Sequence, residues 1–168
     1  MATQTVVSSL IGANLSSSDA TALFGLGTAV NTTDGGTYQY CEATSTFITG
    51  ELVFVSPAGT AKTLLTASLT ANTDGVMLAA AQNIINQGEF GWFATRGRNL
   101  YVLCTGTLTA GSEIGAVLSA NSGRLQNALA GGVGNTLLGI FVTTSASTAT
   151  QSVAVATLTW PRSTLMGA

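Results

Sequence analysis

Short runs of β-branched and aromatic residues, separated by glycine-containing turns, fill the chain from Thr37 onward. Such runs are typical of strands when Gly, Pro, Asn, Asp or Ser residues bound them. The candidate runs cover residues 38–42, 52–55, 63–69, 76–80, 90–95, 99–105, 114–119, 123–128, 137–144 and 153–160. Pro161 is expected to close the last run. About eight or nine strands at this spacing predict an all-β fold, either a small β-barrel or a β-sandwich.

Two stretches of the sequence resemble each other. Residues 46–56 and 107–119 each pass from an apolar residue through a Thr-containing turn to Gly, an acid and then a strand. The later segments 75–79 and 138–142 also match in pattern. The similarity predicts two copies of a small β unit packed on each other. The Ala-rich run 79–86 leaves a short helix, a long connection and a bulged strand open as alternatives.

Residues 1–36 are rich in Ser, Thr, Ala and Asn and contain one short helical candidate, 18–24, which Ser18 could cap and Gly25 would end. One or two helical turns are not stable alone. The segment is therefore either a disordered leader or an extended arm that orders on a neighbouring subunit. Its apolar residues favour the arm, and they are Leu10, Ile11, Leu15, Leu23, Phe24 and Leu26. The predicted organisation is an arm over 1–36, a β domain over 37–161 and a C-terminal tail over 162–168.

Charge is scarce, since only 7% of the 168 residues are charged and the formal net charge is -2. The mean hydropathy of +0.44 indicates more apolar surface than one core uses, which favours an obligate oligomer or a lattice-bound subunit. Five scattered basic residues argue against nucleic acid as a partner. No apolar run approaches the length that spans a membrane. The amino-terminal residues do not resemble a secretory signal, so cytosolic synthesis is expected.

The sequence offers little material for catalysis or metal binding. It contains no histidine, the usual base for a Ser or Cys nucleophile and a common zinc ligand. Lys62 follows a Pro-Gly turn, and its surroundings lack the second Gly of a phosphate-binding loop. Cys41 and Cys104 are interpreted as small buried hydrophobes rather than a disulfide. We expect no catalytic residue, no metal and no cofactor.

Tryptophan and arginine concentrate in residues 89–101, where strand alternation places Phe90, Trp92 and Ala94 on one face. Trp and Arg are favoured at interface centres. The alternatives are a core Trp followed by a solvated turn at 96–98, and a carbohydrate-stacking Trp. The same alternatives apply to the tryptophan and arginine of the segment 160–162. The candidate interface residues are Leu10, Ile11, Leu15, Leu23, Phe24, Trp92, Arg96, Arg98, Trp160 and Arg162.

Several short segments together resemble one group of proteins. They are Leu26-Gly27-Thr28, Asp34-Gly35-Gly36-Thr37-Tyr38-Gln39-Tyr40, Ile48-Thr49-Gly50-Glu51-Leu52-Val53, Gly91-Trp92-Phe93-Ala94-Thr95-Arg96-Gly97 and Leu138-Gly139-Ile140. The group is that of capsid decoration, or cement, proteins of tailed bacteriophages and related small virion proteins. The resemblance implies a small β-rich protein on the outer capsid surface, often a trimer, whose partner is the major capsid protein. It carries no catalytic motif.

The composition agrees with such a role on independent grounds. A coat held by apolar burial and hydroxyl hydrogen bonds is less sensitive to salt than one held by surface ion pairs. A ligand that binds only the assembled shell stabilises that shell by mass action. The alternatives are a receptor-binding head fibre or adhesin module that stacks glycans on Trp92 or Trp160, and another minor head or tail structural subunit.

Overall fold

The computed structural model describes residues 13–64, 77–111, 114–116, 123–127, 136–144 and 152–164. These residues form eleven strands and no helix, which confirms the predicted all-β class. The strands are β1 (Ser18–Asp19), β2 (Ala29–Asn31), β3 (Thr37–Ala43), β4 (Leu52–Val55), β5 (Thr60–Thr63), β6 (Met77–Ala81), β7 (Phe90–Cys104), β8 (Ile114–Ala116), β9 (Leu125–Asn127), β10 (Thr136–Val142) and β11 (Ser152–Thr164). All belong to one mixed sheet.

The strand pairings close into two rings that share β7. In the first ring, β3 pairs with β5 in parallel, while the pairs β5–β4, β4–β6, β6–β7 and β7–β3 are antiparallel. In the second ring, β7 pairs with β9 in parallel, while β9–β8, β8–β10, β10–β11 and β11–β7 are antiparallel. The two patterns are the same, so the predicted pair of repeated β units is present.

Two turns of the first ring, one after β3 and one after β6, resemble each other. Phe47 and Ile85 form an antiparallel bridge, with backbone N···O distances of 2.8 and 3.0 Å. Each turn then reaches a left-handed glycine, Gly50 or Gly88. The Ala-rich run 79–86 is therefore strand followed by turn, because Ala79 and Ala81 are fully buried and only small side chains fit there. The helical alternative for this run is excluded.

Strands of the first ring are buried on both faces. Successive residues of β4, such as Val53 and Phe54, belong to two different apolar clusters. The smaller cluster contains only residues of the first ring and its turns, whereas the larger one continues through β7 into the second ring. Double burial removes the alternation of apolar and polar residues that marks a half-exposed strand.

The turn predicted at residues 96–98 is a bulge within one continuous strand. Opposite β11 the register shifts, so that Leu158 pairs with Gly97 and Ala156 pairs with Leu100. Gly97 and Asn99 take positive φ values of 150° and 55°. A bulge adds a residue without ending the strand, and β7 therefore serves both rings.

The strand β11 likewise continues past Pro161 to Thr164. The prediction that Pro161 ends it was wrong, and residues 162–164 are strand rather than tail. Pro161 is tolerated because it lies in a bulge, between the pairs Ile140 with Leu158 and Leu138 with Arg162.

The described part of the predicted arm packs on its own β domain. No helix forms over residues 18–24; instead β1 pairs with β7 and β2 forms a hairpin with β3. The boundary predicted at residue 37 therefore divides a hairpin. Leu10 and Ile11 lie outside the described residues.

Candidate functional site

Trp92 lies in the protein core. It is 1% exposed, and its ring centroid is 5.0 Å from that of Tyr40 and 5.3 Å from that of Phe24. Phe90 and Ala94 join the same cluster, which confirms that the three residues share a face. The Nε1 atom of Trp92 is buried and has no hydrogen-bond partner among the residues that the structure describes. This burial removes Trp92 from the candidate interface and from any role in stacking sugars.

Residues 13–28, which we call the strap, cover this aromatic cluster. The Tyr40 hydroxyl donates to Asp19 Oδ2 at 2.9 Å and accepts from the Leu23 backbone N–H at 3.2 Å. Burial, opposed by the Leu23 hydrogen bond, raises the pKa of Tyr40. Leu15 and Phe24 pack against the core, while the Leu23 side chain is 64% exposed. Of the candidate interface residues in the strap, only Leu23 therefore presents a mainly exposed side chain.

The remaining candidates meet where β7 and β11 bulge side by side. Arg96 is the register partner of Thr159, the residue before Trp160. Arg96 and Arg98 are exposed, and Trp160 is 49% exposed. Arg162 follows in β11, opposite Leu138. We call Arg96, Arg98, Asn99 and Trp160 the double bulge.

Beside the double bulge lies an uncharged outer face of the second ring. Phe141 is 60% exposed and Val153 46% exposed, and both lie on the outer side of β10 and β11. Cross-strand partners share a face, so Thr157 lies beside Phe141, and Val155 lies beside Tyr101. We call these five residues the β10–β11 face. The β10–β11 face was not among the interface candidates predicted from the sequence, although the alternation Val153-Ala154-Val155-Ala156 indicates one buried and one exposed side.

The inward-facing residues of the same strands make this face rigid. Ile140 pairs with Leu158, and Ala154 pairs with Val102. All four side chains are at most 5% exposed. The exposed apolar side chains are therefore fixed to a packed sheet and not to a loose loop.

Two glutamates, Glu51 and Glu89, accept hydrogen bonds from neighbouring residues in or near their turns. Glu51 accepts a hydrogen bond from the Ile48 N–H at 3.1 Å, and burial raises its pKa against the opposing influence of that bond and of Arg124. Glu89 accepts bonds from the Ser18 hydroxyl at 2.7 Å and the Asn86 N–H at 3.0 Å. These bonds lower the pKa of Glu89.

Cys41 and Cys104 are buried free thiols, as the interpretation as small hydrophobes predicted. Burial raises the pKa of Cys41 to about 12, so its thiolate is disfavoured. Within the described ranges, no group of three or more His, Cys, Asp or Glu residues is placed to hold a metal ion. In the same part of the chain, no helix is long and apolar enough to cross a membrane.

The fold and surface define a class of protein: a fused pair of five-stranded β rings with an uncharged apolar face. Comparison with known proteins adds no name to that class. No protein-family model matches the chain, and no curated protein matches it significantly.

Proposed function

We propose that this protein is a structural virion component that binds the outer surface of an assembled phage capsid and stabilises it by bridging major capsid subunits. The observation that carries the proposal is the β10–β11 face, where Phe141 and Val153 are 60% and 46% exposed on a packed sheet. Large exposed apolar side chains grouped on one face mark an interaction surface. The resemblance to cement proteins supplies the partner and the location.

Stabilisation needs no chemistry beyond binding. A protein that binds the assembled shell and not the free subunits lowers the free energy of the shell by mass action. Burial of Phe141, Val153 and Val155 depends little on ionic strength, because apolar contacts are not screened by salt. A decorated particle would therefore keep its coat as salt concentration changes.

Self-association belongs to the same proposal. We propose a homo-oligomer and favour a trimer, as the resemblance implies. Leu23 and Leu26 of the strap are 64% and 41% exposed, on a different part of the chain from the β10–β11 face. In this proposal the strap contacts sister subunits while the β10–β11 face contacts the capsid. Native mass spectrometry of the purified protein measures the state, and a monomer at micromolar concentration would contradict the trimer.

The test is binding of the purified protein to undecorated mature heads of its phage, compared with free capsid subunits. We expect saturable, salt-tolerant binding to heads alone. Phe141→Thr should weaken it at least tenfold, roughly the loss of one apolar anchor. Ile84→Thr is the matched control, because Ile84 is 59% exposed on a turn of the first ring. Absence of binding to heads would overturn the proposal.

A second candidate function is supported by the exposure of Trp160. Trp160 is 49% exposed, which would suit a receptor-binding module that stacks a glycan. Retention on host cells or on a glycan array, lost in Trp160→Ala and combined with no binding to heads, would favour this candidate. Binding to tails or connectors instead of heads would indicate another structural subunit.

A further inference from the structure

The double bulge is strained in a way that the rest of the described sheet is not. In the part of the chain that the structure describes, Asn99 and Trp160 are the only residues other than glycine with positive φ, at 55° and 53°. Asn tolerates this conformation, but for a bulky residue such as Trp it costs about 1–2 kcal/mol. Both residues lie at register shifts of neighbouring strands. Such bulges redirect side chains, and strain of this kind concentrates at functional sites.

The surroundings hold Trp160 in that conformation. A Cβ atom on Gly139, which faces the bulge, would lie 2.7 Å from the Thr159 carbonyl oxygen and 3.2 Å from Pro161 Cα. The backbones of β10 and β11 therefore approach closely at this point. Pro161 is buried while Trp160 is half exposed. The bulge thus turns the indole ring outward and keeps its backbone fixed.

Arg96 lies on β7 opposite Thr159, the residue before Trp160, and Arg98 follows two residues later. In the described part of the chain, neither arginine side chain forms an ion pair or hydrogen bond, and both residues are exposed. The chain as a whole carries a formal charge of -2. The double bulge therefore groups two exposed positive charges with an exposed tryptophan on neighbouring strands, on a chain that has seven acidic and only five basic residues.

We propose that the double bulge docks an acidic segment of a partner protein. Carboxylates of that segment pair with Arg96 and Arg98, and a neighbouring apolar side chain lies against the Trp160 ring. An arginine fork binds a carboxylate through two parallel hydrogen bonds, and Trp and Arg are the residue types most enriched at interface hot spots. The inference rests on the proposed function, where the segment lies on the outer surface of the capsid subunit, and it adds the chemistry of recognition.

The first test measures binding of full-length variants to undecorated heads. We expect Trp160→Gly, which relieves the left-handed strain, to remain folded by circular dichroism and to bind at least tenfold more weakly. The double variant Arg96→Gln with Arg98→Gln should lose a similar factor. Lys62→Gln, which removes one positive charge away from the double bulge, is the control for loss of charge alone, since Lys62 is exposed on β5 of the first ring. Wild-type binding that neither variant weakens would overturn the inference and leave the proposed function standing.

The second test does not need the phage. Random peptides are selected against the wild-type protein, and the enriched peptides are titrated by fluorescence anisotropy. We expect enriched sequences to carry Asp or Glu beside an apolar residue and to bind the double Gln variant about tenfold more weakly. Peptides without acidic residues, or peptides that bind both proteins equally, would overturn the inference. The peptide test decides the inference even if the wild-type protein fails to bind heads, because that failure overturns only the proposed function.

Discussion

At the scale of single residues, two glutamates in similar turns have pKa values that are shifted in opposite directions. Each accepts a hydrogen bond from a backbone N–H of its own turn, Ile48 for Glu51 and Asn86 for Glu89. Their environments differ, because burial raises the pKa of Glu51 whereas hydrogen bonds lower that of Glu89. The glutamates that follow the glycines of these two similar turns therefore have opposite linkage to pH.

The raised pKa of Glu51 means that the folded state binds this proton more tightly than the unfolded chain. Its contribution to stability is therefore present below the ordinary carboxyl range, about pH 4, and is lost as pH rises through the folded pKa. We expect Glu51→Gln to keep or increase the free energy of unfolding at neutral pH. Urea titrations from about pH 3 to about pH 7 measure it. A variant clearly less stable than wild type at neutral pH would contradict this expectation.

The contribution of Glu89 to stability has the opposite dependence on pH. Its lowered pKa means that the carboxylate stabilises the fold above the ordinary carboxyl range, and that this stabilisation is lost as pH falls through the folded pKa. Glu89→Gln should therefore be less stable than wild type at neutral pH, with the difference shrinking in acid. The same titrations serve as the measurement, and Glu51→Gln is the matched control. A pH-independent difference would show that the charge is not responsible.

At the scale of elements, the turns of the repeat differ in how closely they approach β7. Gly50, Gly88 and Gly111 have nearly the same positive φ, between 78° and 86°. A Cβ on Gly50 would lie 2.8 Å from the Leu103 backbone nitrogen, whereas no atom of the described residues lies within 4 Å at the other two positions. The Leu103 N–H also donates to the Gly50 carbonyl at 2.6 Å. The first turn is therefore a docking contact between the rings.

Alanine substitutions separate backbone strain from this contact. We expect Gly88→Ala and Gly111→Ala to lower the free energy of unfolding by about 1 kcal/mol each, the cost of the left-handed conformation. Gly50→Ala should lose about 3 kcal/mol, because the β7 backbone must move and its hydrogen bond weakens as well. Chemical denaturation measures all three variants. Equal losses of stability in the three variants would show that the close approach of Gly50 to Leu103 does not contribute to stability.

The Tyr40 hydroxyl is one of the attachments of the strap to the first ring, beside the β1–β7 pairing and the bond from Ser18 to Glu89. Tyr40→Phe removes both hydrogen bonds of that oxygen, to Asp19 and from the Leu23 N–H, but keeps the aromatic ring in place. We expect a loss of about 1–2 kcal/mol in stability. Amide hydrogen exchange should accelerate at residues 18–24 more than in β3 or β4. Uniform acceleration across the first ring would show that the strap does not open as a separate unit.

Sequence patterns predicted most strands of this fold because composition and turn residues suffice to mark them. The predicted run 52–55 matches β4, and the internal similarity predicted the repeat. The pattern failed where tertiary packing overrides local signals. Gly97 and Pro161 read as a turn and a strand end, yet both lie in bulges of longer strands. The exposure of Trp160 and the burial of Trp92 depend on these bulges and on the strap, which no local pattern records.

At the scale of the whole molecule, the shared strand joins two repeated units into one folding body. β7 pairs with β3 and β6 in the first ring and with β9 and β11 in the second. The larger apolar cluster contains Trp92 of the first ring and Leu158 of the second. Neither ring can therefore open without breaking contacts of the other, in contrast to two domains joined by a linker.

The two tryptophans report on the two rings separately, since Trp92 lies in the first and Trp160 on the second. We expect the single-tryptophan variants Trp160→Phe and Trp92→Phe each to unfold in one transition, with fluorescence and far-ultraviolet circular dichroism midpoints that coincide within each variant. The reason is that the β7 hydrogen bonds of both rings and the common apolar cluster are lost together. The midpoint of Trp92→Phe itself should fall, because the ring is buried, while that of Trp160→Phe should change little. A Trp160 signal that changes before the circular dichroism in Trp92→Phe would show that the second ring unfolds independently, and that the shared strand does not couple the β10–β11 face to the rest of the protein.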